Sequence, residues 1–310
     1  MKRFILSSSL FVLGIFTILV VSAFFMPDNS IKNSMLGVQR VKLEMLRATE
    51  GNRLIFLGGS NLSHGLDSPE IERELDVTVV NMGLHASLGL RYIMWSTIDH
   101  IRKGDVVIIV PEYPQFGSAF NGSAELLAMV ADIIPEHKAI LNKSQWIGLV
   151  EHIPRYGAGK LCRLKKCFRV ERFIESEKYN IQGDLKATDS TEPLPYNKGA
   201  GFVGKEAFDK STVKQIKEFV VAVESKGARA FLMPPCFQRT SFTRQREYIE
   251  VLESALAKEG ISFIVPPSLF ALDDSLFYDT PYHLNAKGYP VRTKIVIDVL
   301  KLFVNSLSKK

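Results

Sequence analysis

Serine, histidine and aspartate come together in two short stretches that lie far apart in the chain. One is Leu57-Gly58-Gly59-Ser60-Asn61, with Ser63 and His64 just beyond it; the other is Asp279-Thr280-Pro281-Tyr282-His283-Leu284-Asn285. A serine hydroxyl is a poor nucleophile until an imidazole takes its proton, and a carboxylate can orient that imidazole and stabilise its cation. Ser60 is therefore the candidate nucleophile, His283 the candidate base and Asp279 the candidate acid, with Asp273 and Asp274 as upstream alternatives. His64 and His85 rival His283 for the base but read as rim or core histidines. An oxyanion needs two or more fixed donors, and the backbone amides of Ser60 and Gly83 suit that role because a glycine lets backbone approach substrate closely. No ligand spacing marks a metal site among the histidines, Glu112 or the three cysteines, and no cofactor is implied. Cys162 and Cys167 can pair in an oxidising compartment, while Cys236 follows an apolar run and reads as a packed thiol.

These residues need a scaffold that presents them at one edge. Five short apolar runs, at 54–57, 77–81, 106–110, 230–233 and 262–265, alternate with longer helical patterns. Such alternation predicts a parallel sheet with crossover helices. Ligands bind outside the carboxyl ends of such strands. The ends here read Gly58-Gly59-Ser60-Asn61, Asn81-Met82-Gly83-Leu84-His85, Pro111-Glu112-Tyr113 and Pro234-Pro235-Cys236, with 278–285 leading into the last helix. Helices are expected over 69–75 with Ser68 as cap, along Leu90, Ile93, Met94, Ile98 and Ile101, over 209–225 and 242–259, and after Asn285. The stretch 117–208 is too long for an ordinary connection and reads as an inserted helical subdomain. It has helical segments near 123–133 and 145–153, a basic run at 160–169 and a polar tract at 183–201.

The amino terminus bounds the location. Lys2 and Arg3 precede an uncharged run from Phe4 to Met26. A spanning helix needs about 20 mostly apolar residues and a secretory core about 7–15, so residues 1–26 read as an anchor. Val21-Ser22-Ala23 keeps a cleaved signal open as the alternative. The positive-inside rule then puts the rest of the chain outside the membrane. Residues 27–52, with Ile31, Met35, Val38, Val41, Met45 and Leu46 at helical spacing, read as a juxtamembrane stalk or a helix packed on the body. The main domain is expected over 53–310. The formal charge of +6 is spread along the chain and no nucleic-acid motif is present.

The motif Leu57-Gly58-Gly59-Ser60-Asn61 with Gly65-Leu66-Asp67-Ser68, together with Asn81-Met82-Gly83 and Asp279 to Asn285 with Gly288, resembles the SGNH (GDSL-type) hydrolase superfamily, especially its membrane-anchored, extracytoplasmic members that acylate or deacylate cell-surface polysaccharides. The resemblance covers about 53–113 and 228–300. It implies an α/β, flavodoxin-like three-layer sandwich with a five-stranded parallel sheet, with nucleophile Ser60, an oxyanion amide at Gly83 and base His283. The family pattern sets the acid three residues before the histidine, where this chain has Thr280, and an asparagine after the third strand, where Glu112 and Tyr113 stand. A carboxylate repels an oxyanion, so Asn61 or Tyr113 is the candidate replacement donor. The resemblance further implies an esterase or O-acyltransferase, with an acyl donor, a polysaccharide acceptor and a membrane-bound acyl-transporting partner at the inner membrane. A catalytically silent glycan-binding or assembly subunit is the alternative.

Overall fold

A computed structural model describes residues 1–26, 36–164, 179–185 and 209–307. The first part of the expected stalk, most of the basic run with Cys167, and most of the polar tract lie outside the described residues. The chain divides into two compact units, Met1–Arg40 with Ser123–Ser176, and Val41–Gly122 with Glu177–Lys310.

In chain order the elements that matter are α1 (Lys2–Phe25), α2 (Val38–Ala48), β1 (Arg53–Gly58), the single turn α3 (Ser60–Ser63), α4 (Ser68–Leu75), β2 (Thr78–Asn81), α5 (Leu90–Trp95) and β3 (Val106–Val110). They continue as α6 (Ala124–Ile133), α7 (Lys143–Leu164), α8 (Lys210–Ser225), β4 (Arg229–Leu232), β5 (Phe237–Gln238), α9 (Arg239–Arg244), α10 (Arg246–Lys258), β6 (Ala271–Leu272) and α11 (Gly288–Leu307).

The second unit is α/β. Its main sheet has four parallel strands in the order β2-β1-β3-β4, with Phe56 beside Asn81 and Gly58 beside Val110. All six residues of β1 are buried, as a strand covered on both sides requires. Helices α4 and α11 pack together, and Ile71, Val296, Val299 and Leu300 join Leu54, Phe56, Ile108 and Val110 in one apolar core. Helices α5 and α8 meet through Trp95 and Phe219, with ring centroids 5.8 Å apart.

The fifth strand expected at 262–265 is not formed. Only a single parallel bridge joins Phe263 to Leu232, and Ile264 donates to the Leu232 carbonyl at 2.8 Å. Pro266 and Pro267 follow at once, lack amide donors and fix their own φ, so the ladder cannot extend. Three helical boundaries also differ from expectation. Asp67, not Ser68, caps α4 by accepting from the Glu70 amide at 3.1 Å. The pattern from Leu90 to Ile101 breaks after Trp95 into a short 3-10 turn, Ile98–His100, and the helix expected over 242–259 restarts at Arg246.

Helix α2 is no free stalk. Its residues from Val41 on belong to the second unit, where Lys42, Leu43 and Leu46 are buried. Arg53 at the start of β1 donates to the Leu46 carbonyl, to the His100 carbonyl at 2.8 Å and to Asp105 through Nε at 2.9 Å. A buried guanidinium with its donors engaged in this way ties α2 to the root of the sheet.

The first unit holds α1, α6 and α7. Helix α1 has 24 residues with a mean hydropathy of 2.6 over its most apolar window, so among the described residues it is the one helix long and apolar enough to cross a membrane. Near its end Ser22 donates to the Gly157 carbonyl at 2.9 Å, and Lys160 donates to the carbonyls of Ala23 at 2.8 Å and Met26 at 3.0 Å. Lys160 thereby caps carbonyls that a helix end leaves unpaired. Its charge is balanced by Asp132, which also accepts from the Tyr156 hydroxyl at 2.6 Å.

Candidate active site

The strand order places the site. The chain runs from β1 outward to β2, then returns to the other side of β1 with β3, so the carboxyl ends of β1 and β3 form the topological switch point. Ser60 follows β1 and Glu112 follows β3. Gly59 between them is there for space, because a Cβ on it would come within 2.6 Å of Glu112 Oε1 and 2.8 Å of the Ala86 side chain.

At this edge Ser60 Oγ lies 2.8 Å from His283 Nε2, and His283 Nδ1 lies 2.8 Å from Asp279 Oδ1. With the Nδ1 proton directed at the carboxylate, Nε2 is left to accept the serine proton. Asp279 reaches the ring despite the extra residue because Thr280 folds the loop: its hydroxyl accepts from the amides of His283 at 3.1 Å and Tyr282 at 3.3 Å. The Tyr278 amide closes the loop on the His283 carbonyl at 2.9 Å, and the Leu284 amide fastens it to the His64 carbonyl at 3.1 Å. Burial works to raise the Asp279 carboxyl, but its hydrogen bond to His283 and the nearby positive charge win, leaving it below the ordinary value. The two upstream acids are engaged elsewhere, Asp273 with Ser275 and Asp274 with Thr240.

His64 stacks on His283, with centroids 4.3 Å apart and planes 17° apart. Burial, reinforced by the charge of His283, pushes its pKa down to about 3, so His64 is a neutral ring at ordinary pH. His85 accepts from the Ser87 amide at 3.1 Å and is likewise lowered by burial.

Beneath Ser60 lies a buried polar floor. Glu112 Oε1 lies 3.4 Å from Ser60 Oγ and accepts from the Asn61 amide at 3.2 Å and the Asn61 side-chain amide at 3.3 Å. Arg292, wholly buried on α11, donates to the Asn61 carbonyl and, at 3.1 Å, to Asn61 Oδ1. Asn61 is thus consumed by the floor and offers nothing to a substrate. Tyr113 is also turned away from the expected contact. It is fully buried, its ring meets Phe237 at 5.1 Å, and its amide donates to the Tyr282 hydroxyl at 3.3 Å.

The Gly83 peptide forms the opposite wall. Its amide donates to Asn81 Oδ1 at 2.8 Å, so the donor expected for an oxyanion is engaged within the protein. Its carbonyl accepts from Ser63 Oγ at 2.5 Å and from the Lys42 ammonium. Asn81 is fixed in turn by Asp184, at 2.7 Å, which also accepts from the Ser68 amide and hydroxyl. Burial drives the Lys42 pKa down to about 7, against the pull of Asp184. The amide of Ser60, at the first position of α3, is among those a helical turn leaves without an internal acceptor.

The structure therefore brings Ser60, His283 and Asp279 into one line, sets Gly83 beside them with its amide engaged, and buries Asn61 and Tyr113. Sequence reasoning missed Lys42, Asp184 and Arg292; it named His64 as a rival base and a rim or core histidine, but not its stacking on His283. Lys42 had left a signal, since it lies four residues from both Val38 and Leu46 on the apolar side of the α2 pattern. The Cys236 thiol is buried, which pushes it up to about 12 and makes it inert. Among the described residues no cluster of histidine, cysteine and carboxylate side chains could hold a metal ion. No protein-family model matches the chain, and no curated protein matches it either.

Proposed function

We propose that the chain is a membrane-anchored serine acyl-ester enzyme of the SGNH type. The observation that carries this reading is the unbroken line of Ser60 Oγ, His283 and Asp279, with both contacts at 2.8 Å. Ser60 attacks an ester carbonyl while His283 Nε2 takes its proton, and Asp279 stabilises the resulting imidazolium. The tetrahedral oxyanion is met by the Ser60 amide, and by the Gly83 amide once it releases Asn81. His283 then protonates the leaving alkoxide and an acyl-Ser60 remains. Water would complete an esterase cycle and a sugar hydroxyl an O-acyl transfer.

Transfer to an extracytoplasmic polysaccharide is the favoured branch. The support is chemical and topological: an apolar amino-terminal helix preceded by Lys2 and Arg3 fits a body held outside the membrane, where a membrane-bound partner can deliver acyl groups. An accessible relay also suits a bulky acceptor, since the Asp279 side chain is 40% exposed. The strand order 2-1-3-4 with the Leu232–Phe263 bridge beyond it is compatible with the five-stranded, flavodoxin-like sandwich of that family. The Gly83 amide closed on Asn81 favours a second reading, a catalytically silent glycan-binding or assembly subunit. A fluorophosphonate probe separates the two: wild-type protein in detergent should be labelled and Ser60→Ala should not. An unlabelled wild type would leave the silent subunit standing.

A further inference from the structure

The carboxyl beside the nucleophile is the feature that the serine mechanism does not absorb. Glu112 is 7% exposed, and its Oε1 lies 3.4 Å from Ser60 Oγ. In a tetrahedral intermediate the oxyanion hangs from the carbon bonded to that same Oγ, so it forms a few ångströms from this carboxyl. Two unit charges about 4 Å apart at an effective dielectric constant of about 20 repel enough to slow the reaction on the order of 10³-fold. An ionised Glu112 would therefore undo most of what the relay achieves.

The groups facing Glu112 do not hold it ionised. From the loop before α11 come His283 and Tyr282, the former attracting a carboxylate and the latter facing it with a buried phenol. From α11 comes Arg292, whose two terminal nitrogens donate to Asn61, so that its attraction for the carboxyl acts without a direct bond. His64 and His85, which border His283, are kept neutral by burial. Among the described residues no cation forms an ion pair with Glu112. Burial raises its pKa, and this outweighs His283 and the bonds from Asn61 and Ser60.

We propose that Glu112 serves the Ser60 chemistry as a neutral carboxylic acid, and that its ionisation switches acyl transfer off. The proposal rests on the serine reading above. Oε1, which accepts both Asn61 bonds, is then the carbonyl oxygen, and Oε2 carries the proton. The uncharged carbonyl oxygen Oε1 then stands beside the nucleophile in place of a charge, in a site where the Asn61 and Gly83 donors are already committed.

The test is the pH dependence of Glu112→Gln against wild type, both as full chains in detergent, followed by fluorophosphonate labelling rate and by thermal melting. Gln keeps the shape and cannot ionise. The ratio of variant to wild-type rate should rise about tenfold per pH unit above the raised Glu112 pKa, towards a ceiling on the order of 10³. The melting curves give a readout independent of catalysis. A carboxyl raised by folding contributes stability that is present below its unfolded value and lost as the pH rises through the folded one, so the variant's Tm should gain on wild type with rising pH. A ratio that is flat or falls with pH, or a variant Tm that loses ground to wild type as pH rises, overturns the proposal alone. A wild type that is unlabelled at every pH overturns the serine reading and this proposal with it. Should the variant fail to fold, the wild-type labelling rate must itself fall about tenfold per pH unit above that pKa; a plateau through the alkaline range overturns the idea.

Discussion

Two carboxylates flank the Ser60–His283 pair, and their surroundings push them apart. Asp279 stands on the outer loop, its side chain 40% exposed and bonded to His283 Nδ1 at 2.8 Å, and it is held below the ordinary carboxylate value. Glu112 stands at the end of β3, buried, without a cation in contact, and is held above it. Both are acids within reach of the proposed catalytic pair, yet one is placed behind the imidazole, where positive charge would develop, and the other beside Ser60, where negative charge would develop. Environments that divide two similar acids in this way assign them separate tasks. The difference between a strand end and a solvent-edge loop is thus a difference in charge state as well as in position.

The strongest way to break this comparison is to remove the pair that both acids serve. Ser60→Ala and His283→Ala should each lower ester turnover on the order of 10⁴-fold or more, with the double variant scarcely worse than either, because such groups act as a unit. Turnover of p-nitrophenyl acetate, with melting curves as a folding control, reads this directly. Near-normal rates in both single variants would end the serine mechanism.

Asp279→Asn comes next and tests the outer acid alone. It preserves shape, removes the charge that favours the imidazolium, and should slow turnover about 10²–10⁴-fold. The stability consequence has a defined sign. A carboxyl lowered by folding contributes stability that is present above its unfolded value and lost as the pH falls through the folded value, so the Tm deficit of Asp279→Asn should shrink on acidification. Glu112→Gln has the opposite slope. Melting curves sloping the same way for both variants would contradict the division of roles.

What was legible in the sequence follows from how locally each feature is determined. The ends of β1 and the 279–285 loop carry their chemistry in adjacent residues, and the apolar runs before them fix the strands. Asp279 was named despite its displaced spacing, although the Thr280 turn that makes the reach possible was not foreseen. The edge run at 262–265 has strand-forming residues but is cut short by Pro266-Pro267, which overrides propensity. Asn61 and Tyr113 are the replacement donors the sequence offers, because Glu112 and Tyr113 stand where the resembled family has an asparagine. The structure instead uses Asn61 to join Glu112 to Arg292, a partner 231 residues away. Asp184 belongs to the Gly83 wall through tertiary contacts only, so no neighbouring residue announces it, whereas Lys42 shows in the sequence only as a cation on the apolar side of α2.

Lys42 sharpens the comparison from the third side, as a cation placed where its charge is costly. Its folded pKa of about 7 lies below the unfolded value of about 10.4, so between these limits the unfolded chain binds a proton that the folded one has released. Wild-type stability should therefore rise with pH across that window, by at most about 1.4 kcal/mol per unit. Lys42→Met should lack the rise, so that any advantage of the variant at pH 7 erodes by pH 9. Denaturant melts at the two pH values measure it, and parallel behaviour of the two proteins would show that Lys42 keeps its charge when buried.

The smallest effect is expected at His64, and it decides whether the second imidazole shares the work of the first. The rings of His64 and His283 are stacked 4.3 Å apart, and a base with a pKa pushed down to about 3 has little appetite for a proton at neutral pH. Its task is then steric: it backs the His283 ring so that Nε2 stays on Ser60 and Nδ1 on Asp279. Aromatic stacking of this kind is worth about 0.5–1.5 kcal/mol, or roughly two- to tenfold in rate if all of it is felt in the transition state. His64→Phe keeps a flat ring in the stack and should fall at the mild end of that range. His64→Ala removes the backing, frees the imidazole to turn, and should lie at or beyond the severe end. A loss on the order of 10³-fold in His64→Phe would mean that protons pass through His64, and the task of the base would then have to be divided between the two rings.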